Sequence, residues 1–131
     1  MNSEEDICRD LVAALPDGSW KWDGRFGAVL AEFRVADQAG VRDVLQRLFG
    51  AVWDGDNIDI APDAVRAVKS HFGGLMPGQL LFTSDPGRAE FICCAWWPWG
   101  NGQTISLRLA LFPGESLSAD RIDQFKARFG I

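Results

Sequence analysis

The amino-acid sequence predicts an α+β fold: a twisted, mostly antiparallel sheet with about four α-helices packed on it. Three observations carry this. Apolar residues recur at helical spacing in four separate stretches, beginning after Ser3, Asp37, Ala61 and Ser118. Residues 79–112 read as a meander, with turn signals at Ser84-Asp85-Pro86-Gly87 and from Pro98 to Gly102. Strands joined by such short turns run antiparallel.

The elements follow in order. Ser3 and Asp6 form a capping-box pattern, and Ile7, Leu11 and Leu15 continue it as one helix face, with Cys8 and Val12 beside them. Pro16-Asp17-Gly18 is a stop signal. Trp20 and Trp22 share one strand face and could form an aromatic strip, and Asp23-Gly24 is a hairpin turn into a strand expected over 25–35. On that strand Val29, Ala31, Phe33 and Val35 form one face, while the other runs from Phe26, Ala28 and Leu30 to the wet Glu32 and Arg34. Asp37 is placed to cap a second helix with Val41, Val44, Leu45, Leu48 and Phe49 inward, and Gly50 suits its end.

Residues 51–60 read either as a short hairpin or as a structured loop. Pro62 suits the first position of a third helix, whose stripe is Val65, Val68 and Phe72 and whose stop is Gly73-Gly74. In the meander, Phe91 to Trp97 is apolar on both faces, as expected of a central strand covered on both sides. The last strand alternates, with Ile105, Leu107, Leu109 and Leu111 facing in and Thr104, Ser106 and Arg108 facing out. Ser118 caps a final helix with Ile122, Phe125 and Phe129 inward, and Gly130-Ile131 reads as a Schellman ending. Trp-Asp-Gly occurs at 22–24 and again at 53–55, and the divergent residues that follow make it shared turn chemistry rather than a repeat. No linker or low-complexity tract divides the chain, so the 131 residues read as one domain.

Composition excludes several functions. The net charge of −5 disfavours nucleic acid or an anionic membrane as partner. With one His and no Tyr, histidine-pair catalysis and His-rich metal sites are ruled out. The three Cys have neither disulfide-framework nor zinc spacing, which suggests a reducing compartment. The acidic opening residues 1–6 have the wrong charge for a secretory signal, and no apolar run reaches membrane-span length. A cytoplasmic protein is expected, with no cofactor and no metal.

Two stretches attract attention. Residues 54–63 carry a net charge of −4 with no Lys or Arg, whereas 64–131 carry +2. An EF-hand reading fails, since its sixth and twelfth positions are Asp59 and Val65 instead of Gly and Glu. The functional reading is a docking surface for a basic protein, with Trp53, Asp54, Asp56, Asp59 and Asp63 as contacts and Trp99 as a further aromatic anchor. The competing reading is a solvated turn with helix-start acids. The second stretch is Trp96-Trp97-Pro98-Trp99-Gly100-Asn101-Gly102, where Trp96, Trp97, Trp99 and Asn101 could bind a carbohydrate or small ligand, with Trp99 the least buried. The alternative is that these indoles clamp the sheet ends.

The remaining candidates read as structural. Cys93 and Cys94 must point to opposite faces of a strand, and Cys8 lies by a helix stripe. His71 is a helix-flank residue that becomes a general base only with a carboxylate in reach. Ser84-Asp85 is turn chemistry, and neither Gly73-Gly74 nor Gly100-x-Gly102 forms a phosphate cradle. The expected function is therefore a protein-binding module, most concretely an inhibitor or immunity-type protein neutralising a basic enzyme.

Overall fold

A computed structural model describes residues 3–15 and 19–131; the stop signal at 16–18 lies outside the described residues. The elements are α1 (Glu4–Ala14), β1 (Lys21–Asp23), β2 (Ala28–Arg34), α2 (Gln38–Leu48), β3 (Ala51–Trp53), α3 (Asp63–His71), β4 (Leu80–Thr83), β5 (Phe91–Pro98), β6 (Thr104–Phe112) and α4 (Ala119–Ala127). The six strands form one sheet in the order β1-β2-β6-β5-β4-β3, and every pairing is antiparallel. The meander β4-β5-β6 occupies its middle, as the turn signals require.

The sheet is covered on both faces. On the first, Ile105, Leu107, Leu109 and Leu111 of β6 and Ile92, Cys94 and Trp96 of β5 pack with α1, α2 and α4 through Ile7, Leu11, Val41, Leu45, Phe125 and Phe129. On the second, Phe91, Cys93 and Ala95 of β5 with Ala110 and Phe112 of β6 pack with α3 through Val65, Val68 and Phe72. Alternation along a strand produces this split. Each fully buried Leu or Phe adds roughly 1.5–3 kcal/mol.

Capping follows the sequence at the starts of α1 and α4 and at the ends of α3 and α4. Ser3 accepts the Asp6 N–H while the Asp6 carboxylate takes the Ser3 N–H, and Ser118 accepts the Arg121 N–H. Ile131 N–H bonds the Lys126 carbonyl with Gly130 at φ 78°, the Schellman ending. Gly73 and Gly74 stop α3 at φ 85° and 111°, a conformation costly for any other residue. The termini of α1 and α4 are joined by charge: Arg121 pairs with Glu4 and, at 2.6 Å, with Glu90, and Arg128 reaches Glu4 at 2.7 Å.

Five expectations are corrected. Arg25 and Phe26 belong to a four-residue turn, not to β2, because Asp23 pairs with Ala28. Asp37 stands at the N-cap position of α2 without a capping bond; a 3-10 turn over Val35–Asp37 leads in, and Asp37 lies 3.8 Å from Arg34 instead. Gly50 is not the left-handed residue that ends α2, since Phe49 is already extended and runs straight into β3. Pro62 precedes α3 as its N-cap rather than opening it. The outward face of β6 is not wet: Ser106 is buried, and Arg108 is half-buried and bonded to Asp23 at 2.9 Å and to the Ser106 hydroxyl at 2.9 Å. Its guanidinium lies 4.3 Å from the Trp97 ring centroid, so polar groups under the cover satisfy one another.

Candidate functional site

The acidic stretch begins where β3 ends. β3 is an edge strand that pairs with β4, so residues 51–60 are an edge strand plus a structured loop and not a hairpin. Asp54 and Asn57 build the loop between them. Asp54 Oδ1 accepts the N–H of Asp56 at 2.9 Å and of Asn57 at 3.2 Å, while Asp54 N–H donates to Asn57 Oδ1 at 2.7 Å. Asn57 Nδ2 also donates to the Val52 carbonyl at 3.2 Å. These are Asx-turn bonds. Asp23 makes the matching bond at the other Trp-Asp-Gly, accepting the Arg25 N–H at 3.1 Å. Both copies therefore terminate an edge strand, β1 on one side of the sheet and β3 on the other.

A 3-10 turn over Ile58–Ile60 follows. At that spacing its two isoleucines cannot share a face. Ile58 is 4% exposed and joins the second core, whereas Ile60 is 85% exposed. Asp56 and Asp59 are exposed on either side of Ile58 in the chain, and Asp63 is exposed at the start of α3, paired with Arg66. Trp53 is half-buried, with its indole N–H donated to Thr83 Oγ1 at 3.0 Å, so it holds β3 to β4. The six residues predicted as one docking surface therefore divide. Asp56 and Asp59 are exposed and make no ion pair among the described residues, Asp63 is exposed but paired with Arg66, Trp53 and Asp54 shape the loop, and Trp99 lies exposed in the β5–β6 turn. Ile60 belongs with the exposed acids, and sequence reading missed it because Ile58-Asp59-Ile60 looks like strand alternation.

The tryptophan-rich stretch does not form one platform. Trp96 is buried at 3% exposure in the first core, against Phe33 at 5.3 Å between ring centroids. Trp97 points to the opposite face, half-buried against Phe26 and Phe72. Trp99 is 44% exposed, and Asn101 Oδ1 accepts the Gln103 and Thr104 N–H groups to shape the turn. Trp20 and Trp22 pack on α4, where Trp20 meets Phe129 at 4.8 Å and the Lys126 ammonium lies 4.2 Å from the Trp22 ring centroid.

The reactive side chains are placed as follows. Cys8, Cys93 and Cys94 are free and buried. Burial, reinforced by the Glu4 charge, pushes the Cys8 thiol up to about 12, and burial raises Cys93 and Cys94 well above the ordinary thiol value. Cys93 and Cys94 face opposite cores. His71 Nε2–H donates to the Phe26 carbonyl at 2.6 Å rather than to a carboxylate. Ser84 bonds the backbone of Ile92, and Asp85 accepts the Gly87 N–H. Among the described residues no group of three His, Cys, Asp or Glu side chains is disposed to hold a metal ion, and no helix is long and apolar enough to cross a membrane.

No family model matches the chain, and no curated protein or solved structure matches it.

Proposed function

We propose that this protein is a small acidic binding module of the inhibitor or immunity type, which neutralises a basic partner protein in the cytoplasm through its 54–63 loop. The observation that carries the reading is Ile60, 85% exposed in a loop whose other exposed side chains include Asp56, Asp59 and Asp63. An isoleucine left in water forgoes roughly 1.5–3 kcal/mol of burial, which a docked partner recovers. The surrounding carboxylates select a cationic surface and speed the encounter. The Asp54–Asn57 bonds preform the loop, so little ordering cost accompanies docking. The role is binding rather than catalysis, in keeping with three buried thiols and a His71 bonded to a backbone carbonyl.

The test is recovery of the partner from the native host with the unaltered protein and with two variants, Asp56→Lys/Asp59→Lys and Ile60→Asp. A basic protein held by the first and lost by both variants is expected. A partner that is neutral or acidic, or one retained by both variants, refutes the reading. Asp54 is unsuitable for charge reversal because its carboxylate builds the turn.

A further inference from the structure

A second site lies on the same face of the sheet, in a cleft that includes no residue of the 54–63 loop. Its volume is about 470 Å³, within the range of small-molecule sites. The rings of Phe91 and Phe112 provide aromatic lining, with centroids 6.0 Å apart and planes inclined by 26°. The α3 contribution is small: Ala64 and Ala67 leave open a space that larger residues would fill. Three polar side chains complete the lining: His71, Arg88 and Glu115.

These three differ in what they ask of a ligand. His71 Nε2 donates its hydrogen to the Phe26 carbonyl, which leaves Nδ1, an acceptor in the neutral tautomer, as the ring nitrogen that can meet a ligand. Glu115 is a second acceptor, and a negative one. Arg88 is a donor and a cation, and its nearest carboxylate among the described residues, Asp85, stands off at 4.0 Å. A ligand complementary to all three carries an ammonium group for Glu115 and His71, a carboxylate for Arg88, and a flat apolar body for the phenylalanines. We propose that the cleft binds a free aromatic α-amino acid. This is independent of the docking role of the 54–63 loop, and either can fail without the other.

The experiment is an NMR titration of the ¹⁵N-labelled protein with L-phenylalanine and L-tryptophan, run beside N-acetyl-phenylalanine and phenylalaninamide. The expected result is saturable shifts at the Ala64, Ala67, Phe91 and Phe112 amides, with each blocked analogue about tenfold weaker because one charged contact is lost. Arg88→Ala should weaken the free amino acid about tenfold while leaving phenylalaninamide little changed, and Glu115→Gln should likewise weaken the free amino acid about tenfold while leaving N-acetyl-phenylalanine little changed. Ala67→Trp, an exposed helix position, should fill the cleft and abolish the shifts. Absence of shifts into the millimolar range, shifts elsewhere on the surface, or equal affinity for the free and blocked compounds would each overturn the proposal. The two charge variants carry the test if the tryptophan variant fails to fold.

Discussion

Replacing Asp54 by alanine is the sharpest probe of how the acidic loop is held. The change removes the acceptor for two backbone N–H groups, at 2.9 and 3.2 Å. A hydrogen bond to a charged acceptor contributes about 1.5–3 kcal/mol when shielded. Asp54 is half-buried, so water replaces part of that, and the expected net loss is about 1–2 kcal/mol. For a chain of this length that lowers the melting temperature by roughly 3–10 °C. Asn57→Ala should cost a similar amount, since it strips the partners of the Asp54 N–H and the Val52 carbonyl. The two residues form one reciprocal unit, so the double variant should fall short of the sum by about 0.5 kcal/mol or more. Urea denaturation of the four proteins measures all of this. If Asp54→Ala stays within about 0.3 kcal/mol of the parent, or the two losses simply add, the loop is not held as described.

Three further outcomes are expected. Trp96→Ala should cost about 3–5 kcal/mol, as large core truncations do, whereas Trp99→Ala should change stability by less than about 0.5 kcal/mol; denaturant midpoints compare them. All three thiols should resist a disulfide reagent at mildly alkaline pH in the folded protein and react fully on unfolding, because burial keeps them protonated and out of reach. The Asp6 carboxyl is held below its usual value of 3.8 by the Ser3 N–H first, then by the Ser3 hydroxyl and Arg9. Its contribution is present above that value and is lost as pH falls through the lowered folded value. Asp6→Asn should therefore be the less stable protein at neutral pH, with the gap closing below about pH 4 in acid-denaturation curves.

What could be read from the sequence depended on how local the determining contacts are. Ser3 with Asp6, Ser118, and the Gly130-Ile131 ending involve residues at most five positions apart, and each forms as its pattern implies. The apolar run 91–97 required burial on both faces whatever lay opposite, and β5 is central. Distant partners were harder to foresee. β3 is three residues long, too short to show a period, and its mate β4 lies about 30 positions away. Arg108 looked like an outward residue because its partner, Asp23, is 85 positions distant. In the candidate site the acids and the turn chemistry of Trp-Asp-Gly were legible in the sequence, whereas the Asp54–Asn57 bonds that build the loop were not. The exposure of Ile60 was not, because it depends on a 3-10 turn in place of a strand, which sends Ile58 inward and Ile60 out.

The docking role proposed for the 54–63 loop is tested most directly by the rate of association with the recovered partner as salt is varied. Steering by Asp56 and Asp59 predicts an association rate that falls steeply as ionic strength rises past the range where the Debye length shrinks to about 10 Å. It also predicts that Asp56→Lys/Asp59→Lys slows association at low salt by about tenfold or more while leaving the melting temperature unchanged. A rate indifferent to salt, or a double variant that associates as fast as the parent, would contradict the account.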